Sequence, residues 1–146
     1  MAIRWTLLAG LLAAGPVGGA VPRNADVASR LIGTWQMTKG IVGGQPLPAD
    51  TVNRLRLELT AGEYTVTGAE SPDRGTWRLV GARKPLGIDV TGTDGPNKGK
   101  TFPAVLDVRG DRLKVCYDLS GKQRPARFES RKKTLLFLAE YRRVKP

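Results

Sequence analysis

The sequence contains no histidine. Ser–His and Cys–His nucleophile schemes are therefore excluded, and so is every metal site built on imidazole. It contains a single cysteine, Cys116, so no disulfide can form within the chain. Cys116 has no partner in the sequence that would lower its pKa. It lies within an alternating run rather than at a helix start. It reads as a small buried hydrophobe, with pairing between chains as the alternative. Acids are scarce as well: 13 Asp and Glu stand against 24 Lys and Arg, a net charge of +11. Glycosidase chemistry needs two carboxylates facing across a cleft. The candidates flank turns, Asp107 with Asp111 and Asp89 with Asp94, where turn and surface roles are the ordinary ones. Aromatic residues are few, three each of Trp, Tyr and Phe. Most share strand faces with leucines, so they read as core rather than as a stacking platform for bases or sugars. No apolar run is long enough to span a membrane and persist in the mature chain.

The first twenty residues stand apart. Met1-Ala-Ile-Arg4 is a short positive start, Trp5 to Ala14 is almost purely apolar, and Gly15-Pro-Val-Gly-Gly-Ala20 breaks the run with small residues. This is the pattern of a secretory signal peptide cleaved after Ala20; a buried N-terminal helix is the alternative. The expected division is a signal at 1–20 and a single domain at 21–146, located outside the cytoplasm, in the periplasm or secreted. The cleavage site has no cysteine, so acylation there is not expected. The densest basic clusters are Arg131-Lys132-Lys133 and Arg142-Arg143-Val-Lys145. They allow either a solvated surface or a binder of anionic surfaces or glycans through Arg131, Lys132, Lys133, Arg142 and Lys145. Export argues against nucleic acid as a partner.

Asn24 to Leu31 reads as a short helix with Asn24 as its cap and Val27 and Leu31 one turn apart. Short β-like runs follow. They are expected at 33–38, 54–59, 63–67, 75–80, 86–90, 101–108, 112–117 and 134–142, with a Gly- and Pro-rich loop at 41–50. About eight short strands with turns between neighbours favour an all-β antiparallel barrel in up-and-down order, since closure removes exposed edges. Leu55, Leu57, Leu59, Ile88, Val90, Leu113, Val115 and Phe137 are expected to face inward.

One stretch imitates a nucleotide site. Asp94-Gly-Pro-Asn-Lys-Gly-Lys-Thr101 matches the end of the phosphate-loop pattern G-x-x-x-x-G-K-[ST], with Asp94 in place of the first glycine. A phosphate loop must open a helix. Here Thr101-Phe-Pro-Ala-Val follows, in which Pro103 opposes a helix and pushes Phe102 to extended geometry. The stretch reads as a hairpin connection with Gly-Pro-Asn supplying the turn.

Leu31-Ile-Gly-Thr-Trp35, Arg74-Gly-Thr-Trp77, Lys84-Pro-Leu-Gly-Ile-Asp89, Gly95-Pro-Asn-Lys-Gly-Lys-Thr101, Asp111-Arg-Leu-Lys-Val-Cys116 and Arg124-Pro-Ala-Arg-Phe128 resemble, in order, an uncharacterised lipocalin-like domain family common in planctomycete bacteria. The resemblance implies a lipocalin-like barrel, small and often exported, without an assigned activity. It also implies that a basic residue of the last strand packs over the opening tryptophan. Arg142 and Arg143 are the matches, and alternation with Leu135, Phe137 and Tyr141 favours Arg143 over Trp35. Three functional readings follow. The first is a non-catalytic barrel that holds a small apolar ligand or serves as a structural or interaction module. The second is the polyanion binder. The third is a carboxylate-dependent hydrolase, motivated only by Asp89 and Asp107. No catalytic, cofactor-binding or metal-ligating residue is assigned, and no cofactor is expected.

Overall fold

The computed structural model describes residues 24–146; the signal peptide expected at 1–20 lies outside them. Helix α1 (Asn24–Leu31) leads into β1 (Gly33–Val42), the short β2 (Gln45–Pro46), helix α2 (Ala49–Arg54) and β3 (Arg56–Leu59). The remaining strands are β4 (Glu63–Thr67), β5 (Asp73–Val80), β6 (Leu86–Asp94), β7 (Thr101–Arg109), β8 (Arg112–Asp118) and β9 (Leu136–Arg143). Every neighbouring pair is antiparallel, from β1–β3 through β8–β9, and β1 pairs with β9 to close the sheet. Leaving aside the two-residue β2, this is an eight-stranded up-and-down barrel with a short N-terminal helix, as the alternation predicts.

Closure depends on the long strand β1. It pairs with β3 over Gly33 to Gln36 and with β9 from Trp35 to Val42. A bulge between Met37 and Lys39 bends it, and the extra residue Thr38 donates its hydroxyl to the Glu140 carbonyl at 3.1 Å. Beyond the bulge β3 no longer accompanies β1. Helix α2 takes that place, and the Met37 amide donates to the Leu55 carbonyl at 3.1 Å. The Gln36 amide nitrogen lies within 3.2 Å of the Val52, Asn53 and Leu55 carbonyls, which satisfies the end of α2.

The region 41–50 corrects the sequence reading in part. The expected loop holds the end of β1, the short β2 and the start of α2, and the strand expected from Arg54 begins at Arg56. Only Val52 of α2 is buried, so six residues present no apolar periodicity that the sequence could reveal. Leu135 is a second correction: it precedes β9 and is 55% exposed, although Phe137, Ala139, Tyr141 and Arg143 do share the inner face.

Two apolar layers result. The inner one joins α1, through Val27 and Leu31, to the inward residues of the barrel strands. The outer one is a row crossing four strands, Val105, Cys116, Leu138 and Ile41, each the registered partner of the next. Residues 119–135 fold back over it and set Phe128 on top. Arg124 anchors this excursion by donating to the Ile88 and Ala104 carbonyls at 3.0 and 2.9 Å and to Asp89 at 2.6 Å. Cys116 is thus fully buried, on the outer wall, with its thiol directed to the Glu129 carbonyl at 3.2 Å. Burial pushes that thiol above its ordinary pKa.

Candidate functional site: the barrel interior

The two ends of the barrel are built differently. At one end α1 lies beneath the strands, and Trp35 is wholly buried against it, with its indole N–H donating to the Leu31 carbonyl at 2.9 Å. The Arg143 guanidinium stands 4.2 Å from the Trp35 ring, as the alternation favours. It also donates to the Ile32 carbonyl at 2.8 Å and to the Arg30 carbonyl. These are carbonyls at and just past the C-terminus of α1, which a helix leaves unsatisfied and a cation suits. This end is shut.

At the other end the β4–β5, β6–β7 and β8–β9 connections surround a cavity of about 270 Å³ that runs into the barrel. All eight residues expected to face inward line it, joined by Met37, Tyr64, Trp77, Phe102, Leu106, Tyr117 and Tyr141. Tyr117 and Phe137 stack with centroids 5.6 Å apart. Burial pushes the Tyr117 hydroxyl up to about 12 and the Tyr141 hydroxyl well above the phenol range.

One acid belongs to this lining. Asp73, at the start of β5, sits by the open end with Ala69, Ser71, Pro96 and Asn97. Its Oδ2 accepts from the Tyr64 hydroxyl at 3.2 Å and from the Asn97 amide at 2.9 Å. Its Oδ1 is buried and has no partner. Burial, together with this carboxylate, raises the Tyr64 hydroxyl above the ordinary phenol range. Two glycines permit the arrangement. A Cβ at Gly75 would lie 2.5 Å from the Tyr64 ring and 1.9 Å from the Thr91 carbonyl oxygen; one at Gly92 would lie 2.1 Å from the Asn97 carbonyl oxygen. Nothing in the local sequence marks Asp73, because its partners lie 9 and 24 positions away.

The phosphate-loop imitation is a hairpin connection between β6 and β7, as expected. Its amides bond to its own carbonyls, Lys98 to Gly95 and Lys100 to Asn97, and to β6, Gly99 to Gly92, at 2.9 to 3.2 Å. They are not directed at a common anion site.

The acids considered for hydrolysis hold structure. Asp89 pairs with Arg124 at 2.6 Å and with Arg78 at 3.1 Å. Burial acts to raise its pKa, but the two arginines outweigh it and hold the carboxyl below its ordinary value, the reverse of what a general acid needs. Asp107 pairs with Arg109 at 2.8 Å. Asp89 faces Pro103, four residues along β7 from Asp107. That offset is roughly 13 Å at the rise of a strand, wider than a glycosidase pair. Asp94 pairs with Arg74, and Asp111 with Arg143 and Lys145.

The basic residues divide between the two ends. Arg131, Lys132 and Lys133 precede β9 at the open end, with Arg131 3.6 Å from Glu129. Arg142 and Lys145 lie at the closed end, where Lys145 pairs with Asp111 at 3.5 Å. The length of β9 separates them, roughly 25 Å. Among the described residues no helix is long and apolar enough to cross a membrane.

A protein of the DUF4847 family from Bacteroides vulgatus, known from its crystal structure, superposes on this chain with a TM-score of 0.47. The two are 12% identical, and the match covers 78% of this chain and 94% of that protein. No family model and no curated protein matches the chain.

Proposed function

We propose that the protein is a non-catalytic binding barrel that takes one small, mainly apolar molecule into its interior. The observation that carries this is the cavity of about 270 Å³, walled by leucine, valine and aromatic side chains inside a closed sheet. An apolar cavity of about 150 Å³ holds benzene, so this one suits a ligand of about ten non-hydrogen atoms. Its access is at the open end, since Trp35, Arg143 and α1 occupy the other. We read the chain as a member of the lipocalin-like family that its motifs resemble. The eight-strand closure and the Arg143–Trp35 contact support that reading. The protein works outside the cytoplasm, a reading supported by the pattern of Met1 to Ala20.

Calorimetric titration with toluene and n-hexanol tests the binding reading. Saturable one-to-one binding with a raised Tm is expected. Val115→Phe, which fills the cavity from β8, should abolish that binding while leaving a cooperative unfolding transition. Absence of saturable binding by either probe would make the interior a packing defect and leave an interaction module as the role.

A further inference from the structure

The cavity holds a contradiction in its chemistry. Its walls are apolar, yet a carboxylate oxygen is buried at its open end without a donor. Buried polar atoms are nearly always paired, and an unpaired charged one is costly enough to need an explanation. Asp73 Oδ1 is the buried side-chain polar atom without a partner among the described residues. Among the described residues no Lys or Arg nitrogen lies within 4 Å of Asp73. Its other oxygen is fixed by Tyr64 and Asn97, both neutral, so the free oxygen is held in place with no cation beside it among the described residues. Tyr64 lines the cavity beside Asp73 on the neighbouring strand β4, and Phe102 lines it from β7. Ring faces attract a cation.

We propose that the ligand is a small organic amine: a protonated ammonium head bound to Asp73 Oδ1, with an apolar tail directed into the barrel. This rests on the binding reading above and deepens it. An ammonium supplies the donor that Oδ1 lacks and brings the compensating charge. The Tyr64 hydroxyl, directed at Oδ2, holds the carboxylate and does not compete for Oδ1. A neutral alcohol would satisfy the hydrogen bond but not the charge. A carboxylic acid of equal length would meet like charge at the same position. The two glycines that let Tyr64 and Asn97 approach Asp73 belong to the same device: each forgoes a side chain where one would displace a holder of the carboxylate.

The test is an isosteric series, n-hexylamine, n-hexanol and n-hexanoate, titrated calorimetrically into the wild-type protein at pH 7. Hexylamine should bind at least about tenfold tighter than hexanol, the ratio expected when a neutral hydrogen bond to a carboxylate becomes a charge-assisted one. Hexanoate should bind most weakly. In Asp73→Asn the preference for amine over alcohol should fall to within about twofold, while hexanol keeps its affinity. Hexanol binding the wild type as tightly as hexylamine would overturn the amine proposal and leave the apolar cavity standing. Binding by none of the three would overturn the binding reading itself. The wild-type series decides the matter even where Asp73→Asn fails to fold.

Discussion

The two ends of this barrel use polar groups in opposite ways. At the closed end the groups around the opening tryptophan are paired: the Trp35 indole N–H with Leu31, the Arg143 guanidinium with two carbonyls, Asp111 and the tryptophan ring. At the open end a carboxylate is fixed by two neutral donors and left with one oxygen unpaired beside an apolar void. The first arrangement lowers the free energy of the fold. The second raises it, a cost that the proposed amine site would account for. Comparing the ends separates residues that keep the barrel closed from those of the proposed binding site.

The largest effect should come from the closed end. Trp35→Ala removes a wholly buried indole and should destabilise by about 4 kcal/mol in denaturant unfolding. A cost below that of a surface substitution would break the comparison at its strongest point. Arg143→Leu should follow at about 3 kcal/mol, since it orphans the helix-end carbonyls and removes the cation over Trp35. Its loss should be insensitive to Asp73 substitutions, because the two sites lie at opposite ends and share no partner.

A middle-sized effect comes from the turn after β8, which lies at the open end but away from Asp73. Asp118 is buried and accepts from the Ser120 amide and hydroxyl and from the Lys122 and Gln123 amides. Burial acts to raise its pKa, but these donors outweigh it and hold the carboxyl below its ordinary value. A group with a depressed folded pKa stabilises above its unfolded value and loses that contribution as pH falls through the folded one. Stability should therefore decline below about pH 4, where Asp89 adds a contribution of the same sign. Asp118→Ala should cost about 2 kcal/mol at pH 7 and flatten this acid limb in thermal melts taken between pH 2 and 6. An unchanged limb would show that these bonds persist in the unfolded chain.

The smallest effect is the most informative. Asp73→Asn should change stability by less than about 1 kcal/mol, or increase it, because it removes an uncompensated charge while keeping an acceptor for Tyr64. A loss as large as that of Asp118→Ala would mean that Asp73 is structural and that the two ends do not differ in kind.

The sequence disclosed most of the closed end and little of the open one. Helix α1 has the bounds that its spacing predicts, and the strand faces follow their alternation. Arg143 could be placed over Trp35 because both lie on inward positions of strands readable by period two. The site at the open end is assembled by register. Asp73 meets Tyr64 and Asn97 only because Val66 pairs with Asp73 and the β6–β7 connection folds inward at Gly92. Local composition encodes neither fact. Helix α2 escaped notice because Pro46-Leu-Pro48 and two glycines dominate its surroundings. The outer layer was half visible. Cys116 was read as buried, but its place on the outer wall depends on Phe128 returning over it from the β8–β9 excursion.

The capping of α1 by Arg143 also constrains the order of assembly. The carbonyls it satisfies are 111 and 113 residues earlier in the sequence. Their cap exists only after β9 has met β1, the pairing that closes the ring and joins the most distant strands. An eight-residue helix has little stability without its tertiary partners. Contacts of such sequence separation form late in folding. Substitutions in α1 should therefore leave the folding rate nearly unchanged and accelerate unfolding, giving φ-values near zero in chevron analysis. On that expectation α1 is the last piece to dock, a latch set by β9.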